Sequence, residues 1–168
     1  MTCPGAANTR GSVVNFRHPL KEECAIVRSL VQAVVDETYG GVLAEAPLPI
    51  TDEDWTQSWI AMEGAKPIGV VLTHREWVDD LWVIAGHRRI GIGSGLLAIA
   101  EKEIANRGIP LARLRVISSN TNAIRFYQAR GWKIAEEYPH ERFQVFVTQM
   151  KKNLGDLTSI RGESGMPE

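Results

Sequence analysis

The chain has 168 residues, 44% apolar and 23% charged, which is the composition of a soluble globular protein of one ordinary domain. Its 19 Lys and Arg residues against 20 Asp and Glu give a formal charge of −1, without the basic excess that predicts binding to nucleic acid or to an anionic membrane. The two cysteines show no metal-ligand spacing and the N-terminal residues no hydrophobic signal core, so we expect a cytoplasmic protein without a metal site.

Between two small, polar terminal segments the pattern alternates strands with helices. We expect residues 1–11 to be a flexible N-terminus, residues 12–152 to form a single domain, and residues 153–168 to be a disordered tail. The predicted strands are 12–17, 58–62, 67–73, 77–84, 111–118, 132–138 and 143–150. The predicted helices are 19–39, a short one capped by Thr51, 93–106 and 121–129. This order predicts an α/β or α+β fold in which helices flank a sheet.

Two of the helices carry an apolar stripe at helical spacing. The residues that we expect to be buried are Ile26, Leu30, Ala33 and Val34 in the first, and Leu96, Leu97, Ala100 and Ile104 in the second.

The most informative segment is the glycine-rich stretch between the strand that ends near Val83 and the helix that begins near Gly93. A helix start offers N–H groups without helical acceptors and a partial positive charge, so it favours an anion. Glycines remove the Cβ atoms that would keep a phosphate away, and Arg88 and Arg89 add charged donors. This stretch therefore predicts a phosphate-binding turn, in which His87 contacts solvent or phosphate.

Three phosphate-binding patterns compete for this stretch. Gly86 and Gly91 have the spacing of a P-loop, but Ile92-Gly93 replaces the required Lys-Ser/Thr. A dinucleotide fingerprint needs G-x-G-x-x-G, whereas residues 91–95 read G-x-G-x-G. The third pattern, R-x-x-G-x-G, matches residues 88–93 at every fixed position. A glycine-rich turn without a ligand is the alternative to all three.

A second motif lies downstream, where residues 120–132 match N-x-x-A-x-x-x-Y-x-x-x-G-[FW] at each fixed position. With R-x-x-G-x-G one helix and one strand earlier, the sequence resembles the GCN5-related N-acetyltransferase (GNAT) superfamily over about residues 67–150. The resemblance implies a mixed, mostly antiparallel central sheet flanked by helices, with acetyl-CoA in the cleft where the central strands splay.

The resemblance also implies which residues hold acetyl-CoA. The glycine-rich turn would bind the pyrophosphate through backbone amides, the strand before it would pair with the pantetheine arm, and Asn120 would hydrogen-bond that arm. The implied coenzyme-binding residues are Leu81, Trp82, Val83, Arg88, Arg89, Ile90, Gly91, Ile92, Gly93, Ser94, Asn120 and Tyr127.

Direct attack of an amine on a thioester needs a neutral amine and a departing thiolate. Only about one alkylamine in a thousand is neutral at pH 7, so a base helps the attack. Tyr127 matches the family tyrosine that approaches the coenzyme sulfur and is the candidate acid. Asp79 is our first candidate for the base, because the family's usual positions on this strand fall at Trp77 and Asp79. A β-bulge would bring in Asp80 instead.

The acceptor is expected to be a primary amine of a small molecule, a peptide or a protein. The acidic and aromatic residues expected around it, which suit a cation, are Tyr39, Glu45, Asp52, Glu53, Asp54, Trp55, Trp59 and Glu141. The sequence is compatible with a homodimer. Two rival functions remain: a catalytically silent sensor of acyl-CoA, and an unrelated nucleotide-binding protein with the same turn.

Overall fold

The computed structural model describes residues 13–40 and 54–155. The predicted flexible N-terminus 1–11, the predicted cap Thr51 and residues 156–168 of the predicted tail lie outside the described residues.

The described strands and helices follow the predicted order. The strands are β1 (Val14–Arg17), β2 (Trp59–Glu63), β3 (Lys66–His74), β4 (Trp77–Val83), β5 (Leu111–Ile117), β6 (Lys133–Pro139) and β7 (Phe146–Asn153). The helices are α1 (Cys24–Tyr39), α2 (Ile92–Asn106) and α3 (Thr121–Gln128), with 3-10 turns at Lys21–Glu23 and Trp55–Gln57. No described helix is both long enough and apolar enough to cross a bilayer.

The strands form a mixed sheet in the order β1-β2-β3-β4-β5-β7-β6. The pairs β1–β2, β2–β3, β5–β7 and β6–β7 are antiparallel, so the predicted final hairpin is confirmed. β4 runs parallel to β5, with Trp77 opposite Arg113 and Val78 opposite Leu114. A parallel neighbour requires a crossover, which α2 supplies.

The prediction for α1 was wrong in its start and in part of its buried face. A 3-10 turn precedes the helix, which begins at Cys24 rather than near Pro19. Ile26 is 54% exposed and Ala33 is exposed as well. The residues that α1 buries are Val27, Leu30, Val31, Val34, Val35 and Tyr39. The apolar residues of α1 form two overlapping stripes that are offset by one residue. Helical periodicity alone does not determine which of the two is buried.

The described residues fall into two compact units, each with its own core. One lies within Met1–Thr73 and Asp80–Ala100, and the other within His74–Asp79 and Glu101–Glu168. In the first, one face of α1 and the predicted stripe residues Leu96, Leu97 and Ala100 of α2 are buried. In the second, Ile104, Leu114, Trp132 and Met150 are almost completely buried. Glu101 there accepts hydrogen bonds from Trp132 Nε1 (2.9 Å) and Lys152 Nζ (3.0 Å).

Candidate active site

The glycine turn, residues 86–91, leads from β4 into α2. Its backbone enters the left-handed region at Gly86 (φ 83°), Arg89 (φ 66°) and Gly91 (φ 88°). A Cβ at Gly86 or Gly91 would meet no described atom within 4 Å, so the turn is open beside both glycines. The N–H of Gly95 donates to the carbonyl of Gly91 (3.0 Å) and closes the first turn of α2. The N–H groups that precede it are the donors an anion would meet.

The glycines of this stretch have different tasks. Gly91 is needed for its positive φ. A Cβ on Gly95 would lie 2.8 Å from Cζ of Phe16, so Gly95 lets the ring of a β1 residue pack on α2. Gly69 of β3 plays a similar part, because its Cβ would lie 3.0–3.3 Å from Leu96, Ile92 and the carbonyl of Trp82. Close packing, rather than phosphate binding, therefore accounts for Gly95.

The side chains of the turn reach back to the scaffold. Arg88 Nε donates to the carbonyl of Val83 (3.0 Å), and its Nη1 lies 3.5 Å from Glu37 Oε1 on α1. His87 Nε2 lies 2.7 Å from Glu63 Oε2 at the end of β2. His87 thus meets a carboxylate where the sequence predicted solvent or phosphate. The contact with Glu63 engages Nε2 of His87, whereas the guanidinium of Arg88 is half-exposed. A coenzyme phosphate at the turn would meet its backbone donors.

The other predicted coenzyme-binding residues differ in how deeply they are buried. Leu81, Trp82 and Val83 on β4 are half-buried. Ile92 is 4% exposed, so only its backbone can contact a ligand, whereas Ile90 is 42% exposed.

The two candidate bases on β4 differ in their surroundings. Asp80 Oδ1 accepts a hydrogen bond from the indole N–H of Trp82 (2.8 Å). Tyr39, at the end of α1, meets the ring of Trp82 edge-on with centroids 6.2 Å apart. Asp79 is exposed.

In the second unit, Asn120 and Tyr127 take different positions on α3. The side chain of Asn120 caps α3 by accepting from the N–H of Ala123 (3.1 Å). Tyr127 is buried, and its ring lies edge-on to Phe126 and Trp132 with centroids 5.2 and 6.0 Å away. The cap fixes the position of the Asn120 side chain, and the aromatic packing fixes the position of the Tyr127 ring.

The residues predicted around the acceptor are only partly described. Glu45, Asp52 and Glu53 lie outside the described residues. Asp54 caps the turn Trp55–Gln57 by accepting from the N–H of Thr56 (3.1 Å), and hydrogen bonds from Thr56 lower the pKa of its carboxyl group. In the described ranges no group of three or more His, Cys, Asp and Glu side chains is arranged to hold a metal ion.

Sequence reasoning missed Glu37 and Glu63, whose carboxylates contact Arg88 and His87 of the turn from other elements. Each is one acid among 20 in the chain, and neither belongs to a motif. Their contacts join residues 51 and 24 positions apart, so no local signal marks them.

Comparison with known proteins places this arrangement in a family. Residues 28–132, more than half of the chain, match the model of the acetyltransferase (GNAT) family. Ard1 from Thermoplasma volcanium is 17% identical, with a TM-score of 0.69 over 85% of this chain and 99% of that one. The PaiA N-acetyltransferase from Thermoplasma acidophilum, solved with coenzyme A, is 18% identical, with a TM-score of 0.61 over 83% and 98%.

Naa50 from Arabidopsis thaliana, solved with the bisubstrate analogue CoA-Ac-MVNAL, is 18% identical, with a TM-score of 0.65 over 83% of this chain and 98% of that one. These similarities confirm the predicted fold, and the family match confirms the predicted superfamily. The chain belongs to the acetyltransferase (GNAT) family and is an N-acetyltransferase with the fold of that family.

Proposed function

We propose that this enzyme transfers the acetyl group of acetyl-CoA directly to a primary amine, with the pyrophosphate of the coenzyme held at the glycine turn. The observation that carries the proposal is the backbone of that turn, left-handed at Gly86, Arg89 and Gly91 and followed at once by α2. An open turn at a helix N-terminus presents converging N–H donors, which suits a pyrophosphate.

The chemistry asks little of the protein beyond positioning and proton transfer. The nitrogen of the amine attacks the thioester carbonyl, the C–S bond breaks, and the acetyl group ends on nitrogen while coenzyme A leaves as a thiolate. In our proposal Asp79, or Asp80, removes the ammonium proton and Tyr127 protonates the thiolate. These assignments rest on the family motifs and on the position of both aspartates on β4.

The acceptor that we propose is a primary amine on a small molecule or a peptide. A peptide acceptor has support from Naa50, whose bisubstrate analogue joins coenzyme A to the peptide MVNAL. We also propose that the enzyme works in the cytoplasm, on the compositional grounds given above.

The test is a panel of amines and short peptides incubated with acetyl-CoA and the purified chain. We expect thiol release that depends on the amine, together with an acetylated product identified by mass spectrometry. Coenzyme A binding without thiol release above hydrolysis would instead identify an acyl-CoA sensor. Displacement of acetyl-CoA by ATP would point to a nucleotide site.

A further inference from the structure

We propose that the contact between His87 and Glu63 is a clamp that holds the glycine turn in the shape that binds the coenzyme. His87 Nε2 and Glu63 Oε2 are 2.7 Å apart, and the two side chains are only 20% and 23% exposed. The inference depends on the proposed function of the turn and adds two positioning residues to it.

Glu63 is a rigid anchor for such a clamp. It is the last residue of β2, and its backbone lies opposite Val14 on one side and Lys66 on the other. The chain then turns at Gly64 (φ 59°). Strand pairing on both sides fixes the backbone of Glu63, so its carboxylate starts from a fixed position beside the turn.

The backbone around His87 needs such a constraint. Gly86 before it and Arg89 after it are both left-handed, a conformation that an arginine seldom adopts and that its surroundings must therefore stabilise. The N–H of His87 donates to the carbonyl of Ile84 (3.2 Å), which fixes the start of the turn. The contact with Glu63 constrains His87 a second time, through its side chain.

The ring of His87 faces the scaffold rather than a ligand. A carboxylate only accepts hydrogen bonds, so Nε2 must carry the hydrogen that reaches Glu63. The other nitrogen, Nδ1, is buried and has no hydrogen-bond partner among the described residues. Neither nitrogen is therefore presented to a phosphate at the surface, and any effect of His87 on coenzyme binding acts through the shape of the turn.

The clamp can be distinguished from a simple charge effect because the two predict opposite changes in coenzyme affinity when Glu63 is replaced. The coenzyme is anionic, so removing the negative charge of Glu63 would tighten binding if charge alone mattered. If Glu63 holds the turn, Glu63→Leu, which removes both the charge and the hydrogen-bond acceptor, weakens binding instead. Glu37→Leu is the matched control, since Glu37 is an acid 3.5 Å from the neighbouring residue of the turn, Arg88, and is half-exposed.

The experiment measures the Kd for coenzyme A by calorimetry, using the wild type, Glu63→Leu, His87→Phe, the double variant and Glu37→Leu. If either single substitution leaves the turn in its binding shape for a tenth of the time, Kd rises about tenfold. We expect the double variant to bind no more weakly than the weaker single variant, because both remove the same contact. At saturating acetyl-CoA, kcat stays within about twofold of wild type. Glu37→Leu binds as tightly as wild type or more tightly.

Tighter binding by Glu63→Leu, or penalties that multiply in the double variant, would overturn the clamp. If the leucine variant fails to fold in a thermal-unfolding control, Glu63→Asp replaces it, because it keeps the charge and shortens the reach. Unchanged affinity in Glu63→Asp would equally overturn the proposal. A wild-type protein that does not bind coenzyme A would contradict the proposed function itself, before the clamp is reached.

Discussion

Asp80 illustrates how one contact changes the expectation for a residue. Its carboxylate accepts a hydrogen bond from Trp82, and the Trp82 ring packs against Tyr39. Asp80 therefore has a structural role. Asparagine at position 80 keeps an oxygen that can accept the same hydrogen bond. Asp80→Asn therefore tests chemistry without removing the contact.

We expect Asp79→Asn to lower kcat/KM strongly at pH 7 and much less at high pH, where an amine with a pKa near ~10.4 is increasingly neutral by itself. Asp80→Asn is the matched control and should show no such recovery. The measurement is a pH–rate profile for both variants. Recovery in Asp80→Asn alone would make Asp80 the base, and recovery in neither would exclude a carboxylate base on β4.

Tyr127 can be tested without disturbing its packing. Tyr127→Phe keeps the ring between Phe126 and Trp132 and deletes only the hydroxyl. Loss of an acid costs about 10²–10⁴ in kcat, and we expect the low end because a thiolate leaves readily. Steady-state kinetics measures this, and the control is Tyr138→Phe, which deletes the hydroxyl of a β6 tyrosine outside the proposed machinery. Wild-type kcat in Tyr127→Phe would reduce Tyr127 to a packing residue.

At the scale of elements, α2 has a left-handed glycine beyond each end. Gly91 has φ 88° and Gly108 has φ 80°, and a Cβ on either meets no described atom within 4 Å. Alanine at either position should cost about 1–2 kcal/mol of stability, because it must adopt the left-handed conformation. Only Gly91→Ala should also weaken coenzyme A binding. Denaturant unfolding and calorimetry measure the two effects, and equal affinities would place the coenzyme elsewhere.

Two substitutions of Asn120, at the N-terminus of α3, distinguish its role as a helix cap from a contact with the coenzyme. Asn120→Ala removes the acceptor for Ala123 and should cost about 0.5–2 kcal/mol of stability. Asn120→Asp keeps that acceptor but loses the amide donor. If Asn120 donates to the coenzyme arm, Asn120→Asp retains the stability of the wild type and raises the KM for acetyl-CoA. A KM unchanged in both variants would leave Asn120 as a cap only.

At the scale of the whole molecule, stability in acid should depend on Glu23. Its carboxylate accepts two hydrogen bonds from Arg17 (2.7 and 2.8 Å) and one from the N–H of Leu20 (2.8 Å), and these lower its pKa from an ordinary 4.5 to about 2. Because the folded pKa is depressed, the stabilisation is complete above the unfolded pKa and is lost as the pH falls from about 4.5 towards 2.

Glu23→Gln should therefore lower Tm above about pH 5 and reduce the fall of Tm in acid. Thermal unfolding between pH 2 and 7 measures this, with Glu22→Gln as the control. Glu22 forms no ion pair with any described residue. Parallel curves for wild type and Glu23→Gln would show that the pair contributes nothing.

The sequence by itself determined the order of elements, the superfamily and the glycine turn. These features depend on neighbours in the chain: alternation for strands, helical spacing for Leu96 to Ile104, and glycines for a turn that needs positive φ. The buried stripe of α2 matched the prediction at all four residues, because that helix has only one apolar face.

Only the tertiary structure decided which face of α1 is buried, why Gly95 is a glycine and what holds the turn. Phe16 lies 79 positions before Gly95, and Glu63 lies 24 before His87, so no periodicity links either pair. Packing and ion pairs between distant segments depend on where the fold brings them. A local pattern predicts a turn, but the residues that fix its shape come from strands and helices elsewhere in the chain.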